Sequence, residues 1–301
     1  MIVAFGNPVY DYIQTPVIST GERVLSGCST NACLALQRLG HETALVGRIG
    51  DDYRDRFVND ARRYGVAVHV KPCEQTGGFQ LVYNDRGERT LDVLGVAAPI
   101  EHGVEYCADA QAIIIGPIMQ ETTVALVERI HQASDAPLIL DPQGLLRQMN
   151  NDGRIEHILP ASFEHLAPLF HVIKANELEA QIITGINPRV NGRAAARRLK
   201  ELGCTIAIVT LAEAGSIIDD GRQQYVIPPF VTDARDPTGA GDTYMAGFLH
   251  AYVQNPRDLY AAGCYGSATA SIWIEHTGPD APVTLPEVER RAALLLSQEG
   301  K

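Results

Sequence analysis

Short apolar runs rich in β-branched residues recur along the chain at Ile2–Phe5, Thr43–Val46, Ala112–Ile115, Leu138–Leu140, Val172–Ile173 and Thr205–Thr210. Each is apolar nearly throughout instead of alternating. That is the pattern of strands covered on both faces, and it points to a mostly parallel sheet. Parallel neighbours need long crossovers, and the intervening segments supply them. Helical patterns cover Asn31–Leu39 before Gly40, Tyr53–Tyr64 before Gly65, Glu121–Gln132, Glu177–Ile183, Ala194–Leu202, Thr243–Val253 and Ala261–Glu275. Glycine is favoured just past a helix end. Strands alternating with helices specify an α/β three-layer sandwich around a mostly parallel central sheet, here read as one domain over residues 1–301.

Two stretches break that rhythm. Tyr12–Leu25 and Phe79–Leu94 are β-like and turn-punctuated, with no helix between their strands. Asn84-Asp85-Arg86-Gly87 reads as the turn of a hairpin joining Phe79–Tyr83 to Glu88–Val93. Strands outside a βαβ unit predict a small β-strand lid beside the main sheet, drawn from about 12–25 and 79–94. A second hairpin joins Gly215–Asp219 to Gln223–Ile227 around Asp220-Gly221.

Charge narrows the partners. With 25 Lys+Arg against 36 Asp+Glu the formal net charge is −11, which argues against a nucleic-acid groove or an anionic membrane surface. No apolar run approaches the 18 or so residues of a membrane span, and Met1–Phe5 lacks the basic region of a signal peptide. The six cysteines form no CxxC pair, so reduced thiols and a cytoplasmic location are expected.

The densest chemistry lies at Asp236-Pro237-Thr238-Gly239-Ala240-Gly241-Asp242-Thr243, directly before an apolar helical segment. Glycines at a helix start let the backbone approach a ligand closely, with unpaired N–H groups pointing at it: an anion site. A carboxylate among phosphate-facing amides would repel the anion and so needs another purpose. Asp242 can accept the proton of a hydroxyl that attacks a phosphoryl group; alone, it could equally cap the helix.

Here the chain resembles the ribokinase-like carbohydrate kinases, the PfkB family. Asp236–Asp242 is similar to the family's D-T-x-G-A-G-D signature except at Pro237. Gly27-Cys28-Ser29-Thr30-Asn31 through Leu39-Gly40 resembles its N-terminal signature, Val46–Asp52 its next Gly-x-x-Gly stretch, and Asn176-Glu177-Leu178-Glu179 its Asn-x-x-Glu motif. The matches fall in the family's order. The resemblance implies that Asp242 is the catalytic base and that Gly239, Ala240 and Gly241 supply an anion hole. It implies that Asp11, Gly27 and Asn31 hold the hydroxyls of a sugar-like substrate, joined with less definition by Asp141. It gives Thr210, Gly215 and Thr238 to the nucleotide, with Glu213 pointing away, and Asn176 and Glu179 to Mg²⁺. From the residues alone, Asn176 is also a helix cap and Asp11 a turn residue after Pro8. The small residues of Cys264–Ala270 suit either close packing or a flat adenine slot.

Two positions depart from the family pattern. Gly27-Cys28 stands where many members carry Gly-Gly, and Pro237 fixes φ just before the anion hole. A monovalent cation near Asp236 is left open, as is the role of Arg147, placed one turn beyond Asp141-Pro142-Gln143. The expectation is an ATP-dependent, Mg²⁺-assisted kinase acting on a hydroxyl of a small sugar or polyol, with a homodimer formed through the lid. Two rivals remain: a nucleoside kinase stacking a base on Tyr10, Tyr12, Phe79 or Tyr83, and a catalytically silent sugar or nucleotide sensor. A dinucleotide-dependent oxidoreductase is disfavoured, because Gly6-Asn7-Pro8 after the first strand lacks G-x-G-x-x-G.

Overall fold

The apolar runs form the middle of the molecule. In the computed structural model, which describes residues 1–84, 89–150 and 152–298, the chain opens with β1 (Ile2–Phe5), β2 (Val9–Gln14), β3 (Val24–Ser26) and α1 (Cys28–Arg38). β4 (Thr43–Gly50), α2 (Arg54–Tyr64) and β5 (Ala67–Cys73) follow, then β6 (Gly78–Tyr83), β7 (Arg89–Gly95), β8 (Ala112–Ile115), α3 (Val124–Ala133) and β9 (Leu138–Leu140). Next come β10 (Arg147–Met149), β11 (Ile155–His157), α4 (Phe163–Leu166), β12 (Val172–Ala175), α5 (Glu177–Thr184) and α6 (Pro188–Lys200). The chain finishes with β13 (Ile206–Thr210), β14 (Ser216–Asp219), β15 (Gln224–Ile227), α7 (Ala240–Gln254), α8 (Leu259–Trp273) and α9 (Leu285–Leu296).

Nine strands form one sheet in the order β15-β14-β13-β12-β9-β8-β1-β4-β5. It is parallel except where β14 turns back on β13 and β15 on β14, the second predicted hairpin. Alternation within β1 shows why the runs are apolar throughout. Ile2 and Ala4 join a core with α1, α2, α7 and α8, whereas Val3 and Phe5 join the opposite core with α3 to α6. Three layers result, as the sequence predicts. α9 adds a third cluster around Trp273. No helix among the described residues is long and apolar enough to cross a membrane.

The lid is a four-stranded sheet in the order β3-β2-β6-β7. Its two sequence segments join by parallel pairing of Tyr12 with Gln80 and Ile13 with Leu81, so it is one unit rather than two flaps. β6 and β7 pair antiparallel as a hairpin requires; positions 85–87 of the predicted turn lie outside the described residues. β2 starts at Val9, which puts Asp11 in a strand and not in a turn after Pro8.

Helix boundaries shift where side chains override periodicity. α3 begins at Val124, capped by the Thr123 hydroxyl, because Glu121 turns inward instead to accept from the N–H groups of Asn7, Ile118 and Met119. α6 is kinked at Asn191, which has non-helical φ and ψ: Asn187 caps a first short piece ahead of Pro188, and the Asn191 side chain accepts from Ala194 N–H where the apolar pattern starts. β5, β10, β11, α4 and α9 were not read from sequence. Arg147 opens β10 instead of lying on a further turn.

Candidate active site

Strand carboxyl ends and helix N-termini converge on one buried group. Asp141 follows the end of β9, Lys174 projects from β12, α1 contributes Cys28 and Asn31, and α7 contributes Asp242. Asn31 Nδ2 donates to Asp242 Oδ2 at 2.9 Å. Lys174 Nζ donates to Asp141 Oδ2 at 2.5 Å. The Cys28 thiol and one oxygen each of Asp141 and Asp242 lie within 4.8 Å of one another, and the thiol also bonds Asp242. Burial raises the Asp242 carboxyl above the usual range and Asp141 adds to this, while Lys174, Asn31 and Cys28 pull it back. Burial alone would lower the Lys174 ammonium, but Asp141, Glu179 and Asp242 more than reverse that and keep it charged.

Next to this group is the predicted anion loop. Gly239 caps α7 in the left-handed region at φ 82°, and a side chain there would meet the Trp273 indole nitrogen 2.7 Å away. A Cβ on Gly241 would lie 2.5 Å from Lys174 Nζ, so the ammonium sits directly beneath the helix start. The first N–H groups of a helix lack intrahelical acceptors. Ala240 is an exception among the three predicted amides, because its N–H donates to the Pro237 carbonyl at 3.2 Å. The turn that Pro237 helps to set therefore consumes one donor and leaves the anion hole to its neighbours. Thr238 N–H donates to Asp236 Oδ1 at 2.9 Å. Burial raises the Asp236 carboxyl, and the side chains of Thr238 and Thr277 bond it and pull it back.

On the lid side, Asp11 Oδ1 accepts from Phe79 N–H at 2.7 Å, and Ser26 also bonds its carboxyl. Burial pushes that carboxyl up to about 6. Gly27, at φ 116°, caps α1 beside the Asn7 carbonyl. A small cavity is lined by Asn7, Phe79, Ile118, Met119 and Glu121 together with the strand ends at Gly77 and Gly95–Ala97. Arg147 reaches toward this side: its guanidinium donates to Ile118 O and Gln143 Oε1 and lies 5.4 Å over the Phe79 ring. Tyr10, one of the candidate base-stacking aromatics, is committed elsewhere. It stacks on Tyr53 at 4.3 Å and donates to Asp60 at 2.6 Å.

Asn176 and Glu179 form a complete capping box at the start of α5: Asn176 Oδ1 accepts from Glu179 N–H, and Glu179 Oε2 accepts from Asn176 N–H. Asn176 Nδ2 also donates to Glu179 Oε1 at 2.6 Å. Burial, with Asp141 second, pushes the Glu179 carboxyl up to about 7. Thr210 and Gly215 lie apart from the central group, at the β13–β14 turn, where Leu211 N–H closes onto Gly215 O. Glu213 in that turn is exposed and held by Arg189 at 2.6 and 3.2 Å. The small residues of α8 are spent on contact, Gly263 against Ile227 and Gly266 against Tyr244, which is the close-packing alternative.

The chain was compared with known proteins. A model described as "pfkB family carbohydrate kinase" matches residues 1–286. The chain belongs to that family. It is 24% identical over 290 residues to the deoxyribokinase of Salmonella typhi, covering 92% of this chain and 89% of that protein. Among solved structures, a pyrophosphate-dependent kinase of the ribokinase family, complexed with a pyrophosphate analog and myo-inositol, superposes with a TM-score of 0.82 at 21% identity, covering 96% of this chain and 100% of the other. The nucleoside kinase of Burkholderia thailandensis, with ADP and inosine, gives 0.79 at 22% over 99% and 96%. These likenesses confirm a ribokinase-like fold.

Within this pfkB-family chain, sequence reading missed Lys174. The signal was present: a lysine inside a strand that is otherwise apolar must be paired, because an unpaired buried ammonium is too costly. Cys28 was noted only as a departure from Gly-Gly, whereas it touches the predicted base.

Proposed function

We propose that this protein transfers the terminal phosphoryl group of ATP to a hydroxyl of a small sugar or polyol, most simply a CH₂OH. The observation that carries the reading is Asp242, buried at the start of α7 beside the glycine turn, held by Asn31 and Cys28 and faced by Lys174 across Asp141. A raised carboxyl is a better base than an ordinary one, and it is aimed where a hydroxyl would approach the anion loop. Asp242 takes the hydroxyl proton as the new O–P bond forms and the bond to the departing diphosphate breaks. Amides at Gly239 and Gly241 and the Lys174 ammonium meet the charge on the transferred group. Asp11 and Asn31 hold the acceptor's hydroxyls, and the lid excludes water that would otherwise take the phosphoryl group.

Cations fit this chemistry. Asp141, Glu179 and Asp242 bury three carboxyl groups around one ammonium, Lys174. The surplus of negative charge suits Mg²⁺ at Asn176 and Glu179, where it would neutralise donor phosphates. The buried Asp236 carboxyl, bonded by Thr238 and Thr277, offers oxygen ligands that suit a monovalent cation. Tyr10 is turned toward α2 and is removed as a base platform, which leaves Tyr12, Phe79 and Tyr83 to the nucleoside alternative. The deciding experiment is a phosphorylation screen over pentoses, deoxyribose, hexoses, inositols and nucleosides, run with ATP–Mg²⁺ and in parallel with pyrophosphate. Turnover confined to sugars or polyols with ATP supports the reading. Turnover with nucleosides alone, with pyrophosphate alone, or with nothing overturns it.

A further inference from the structure

Thr238 stands immediately before the glycine turn, where its side chain bonds the Asp236 carboxyl, and three further contacts hold it. Its N–H donates to Asp236 Oδ1 and its carbonyl accepts from Trp273 Nε1 at 3.0 Å, both from the body of the protein. Its hydroxyl lies 3.0 Å from the hydroxyl of Tyr83, a residue 155 positions away that ends lid strand β6. Both side chains are buried. The same strand begins at the acceptor side: Phe79 lines the lid cavity and gives its N–H to Asp11. Tyr83 is four residue steps along the strand from Phe79, roughly 13 Å of extended chain. β6 is paired on both sides, to β2 and β7, which makes it stiff over that length.

We propose that Tyr83 is a positioning residue: its hydroxyl fixes Thr238, and through Thr238 it sets the backbone at Gly239–Gly241, so that an acceptor seated against Phe79 tightens the site for the donor phosphates. This rests on the kinase reading above for its substrates, but the physical contact does not. Coupling of this kind is reciprocal, so the donor must favour the acceptor by the same factor. It also gives a reason for a tyrosine at the end of a lid strand, where a plain apolar residue would close the core equally well.

The test uses the full chain with Tyr83→Phe, Thr238→Val, the double variant and Thr238→Ser. Tyr83→Phe and Thr238→Val should each raise the donor KM at saturating acceptor by about fivefold, the worth of one buried neutral hydrogen bond. The double variant should be no worse than Thr238→Val alone, and Thr238→Ser, which keeps the hydroxyl, should leave the amide exchange of this segment at the wild-type rate. Amide hydrogen exchange in peptides spanning 236–243 should quicken in Tyr83→Phe and Thr238→Val alike, without any substrate present. Multiplying effects would mean that Thr238 acts on the donor directly, and unchanged KM and exchange would mean that the contact is inert; either overturns the proposal. If the wild type phosphorylates nothing, the kinase reading fails while the exchange experiment still decides the contact.

Discussion

Replacing Lys174 with Met should reveal how the active-site charges are balanced. Lys174 and Asp141 are 2% and 1% exposed and 2.5 Å apart, with Glu179 and Asp242 close enough to act on both. Methionine keeps the stem but strands Asp141 in a buried site that already holds two other carboxyl groups. Breaking a buried pair by removing one partner costs about 3–5 kcal/mol. For a chain of this size that is a fall in Tm of about 6–10 °C. The loss should shrink between pH 7.5 and 5.5, because Glu179, already pushed up to about 7, takes a proton and relieves part of the repulsion. Lys174→Met/Asp141→Asn, which leaves neither charge, should recover most of the stability while remaining inactive. Urea denaturation of the three proteins at both pH values is the assay. If Lys174→Met lies within about 1 kcal/mol of wild type, or the double variant is no better than Lys174→Met, the pair is not what neutralises this site.

Asp242→Asn should lower kcat by about 10²–10⁴-fold, the usual worth of a general base, with donor affinity by calorimetry changed only a few-fold. For Glu179→Gln the sign follows from linkage. A carboxyl raised in the folded state contributes stability that is present below its unfolded value and lost as pH rises through its folded value, here from about 4.5 to 7. The glutamine variant should therefore be more stable than wild type at pH 7.5, by about 1–3 kcal/mol, and less so at pH 5.5. His41, which burial holds down to about 4, acts in the opposite sense, so the readout is the difference between variant and wild type in urea midpoint. Burial, with Asp141 and Asp242 adding to it, pushes the Cys28 thiol well up, so it should resist alkylation at pH 7.5 in the native protein. Cys28→Ala, which removes one donor from the base, should lower kcat about fivefold, and Cys28→Ser should restore most of it.

The strand runs, the two hairpins and the order of layers were legible because burial on both faces writes itself into composition. β5 was not, because its residues are exposed or only half-buried at the sheet edge. α3 shifted because one side chain, Glu121, turns inward, and α6 gained a short piece ahead of its pattern because Asn187 and Asn191 each cap a segment, which periodicity does not record. In the candidate site, Asp242, Gly239 and Gly241 were singled out from one motif, and Asn31 came only from a second signature, as a substrate residue rather than as the Asp242 partner it is in the structure. Lys174 and Cys28 were not readable, since their meaning comes from strands and helices 33 to 214 residues apart being brought together. Asn176 and Glu179 show the limit from the other side. Their motif was legible, but its literal content in the structure is a capping box, and only the raised Glu179 carboxyl points beyond it.

The crowding of negative charge at the centre has a chemical reason that the net charge of −11 does not convey. Asp141 and Asp242 repel each other in a buried site, and that repulsion costs folding stability. The same repulsion raises the proton affinity of Asp242, which is what a base near neutral pH needs. Unchecked, it would leave Asp242 protonated and useless. Lys174 sets the check: paired to Asp141 and lying under Gly241, it stabilises the ionised form of Asp242 while presenting its positive charge to the anion loop. On the proposed kinase reading, one ammonium would both temper the base and face the phosphate, so that a chain with so acidic a balance could bury a cation here and still handle a polyanion.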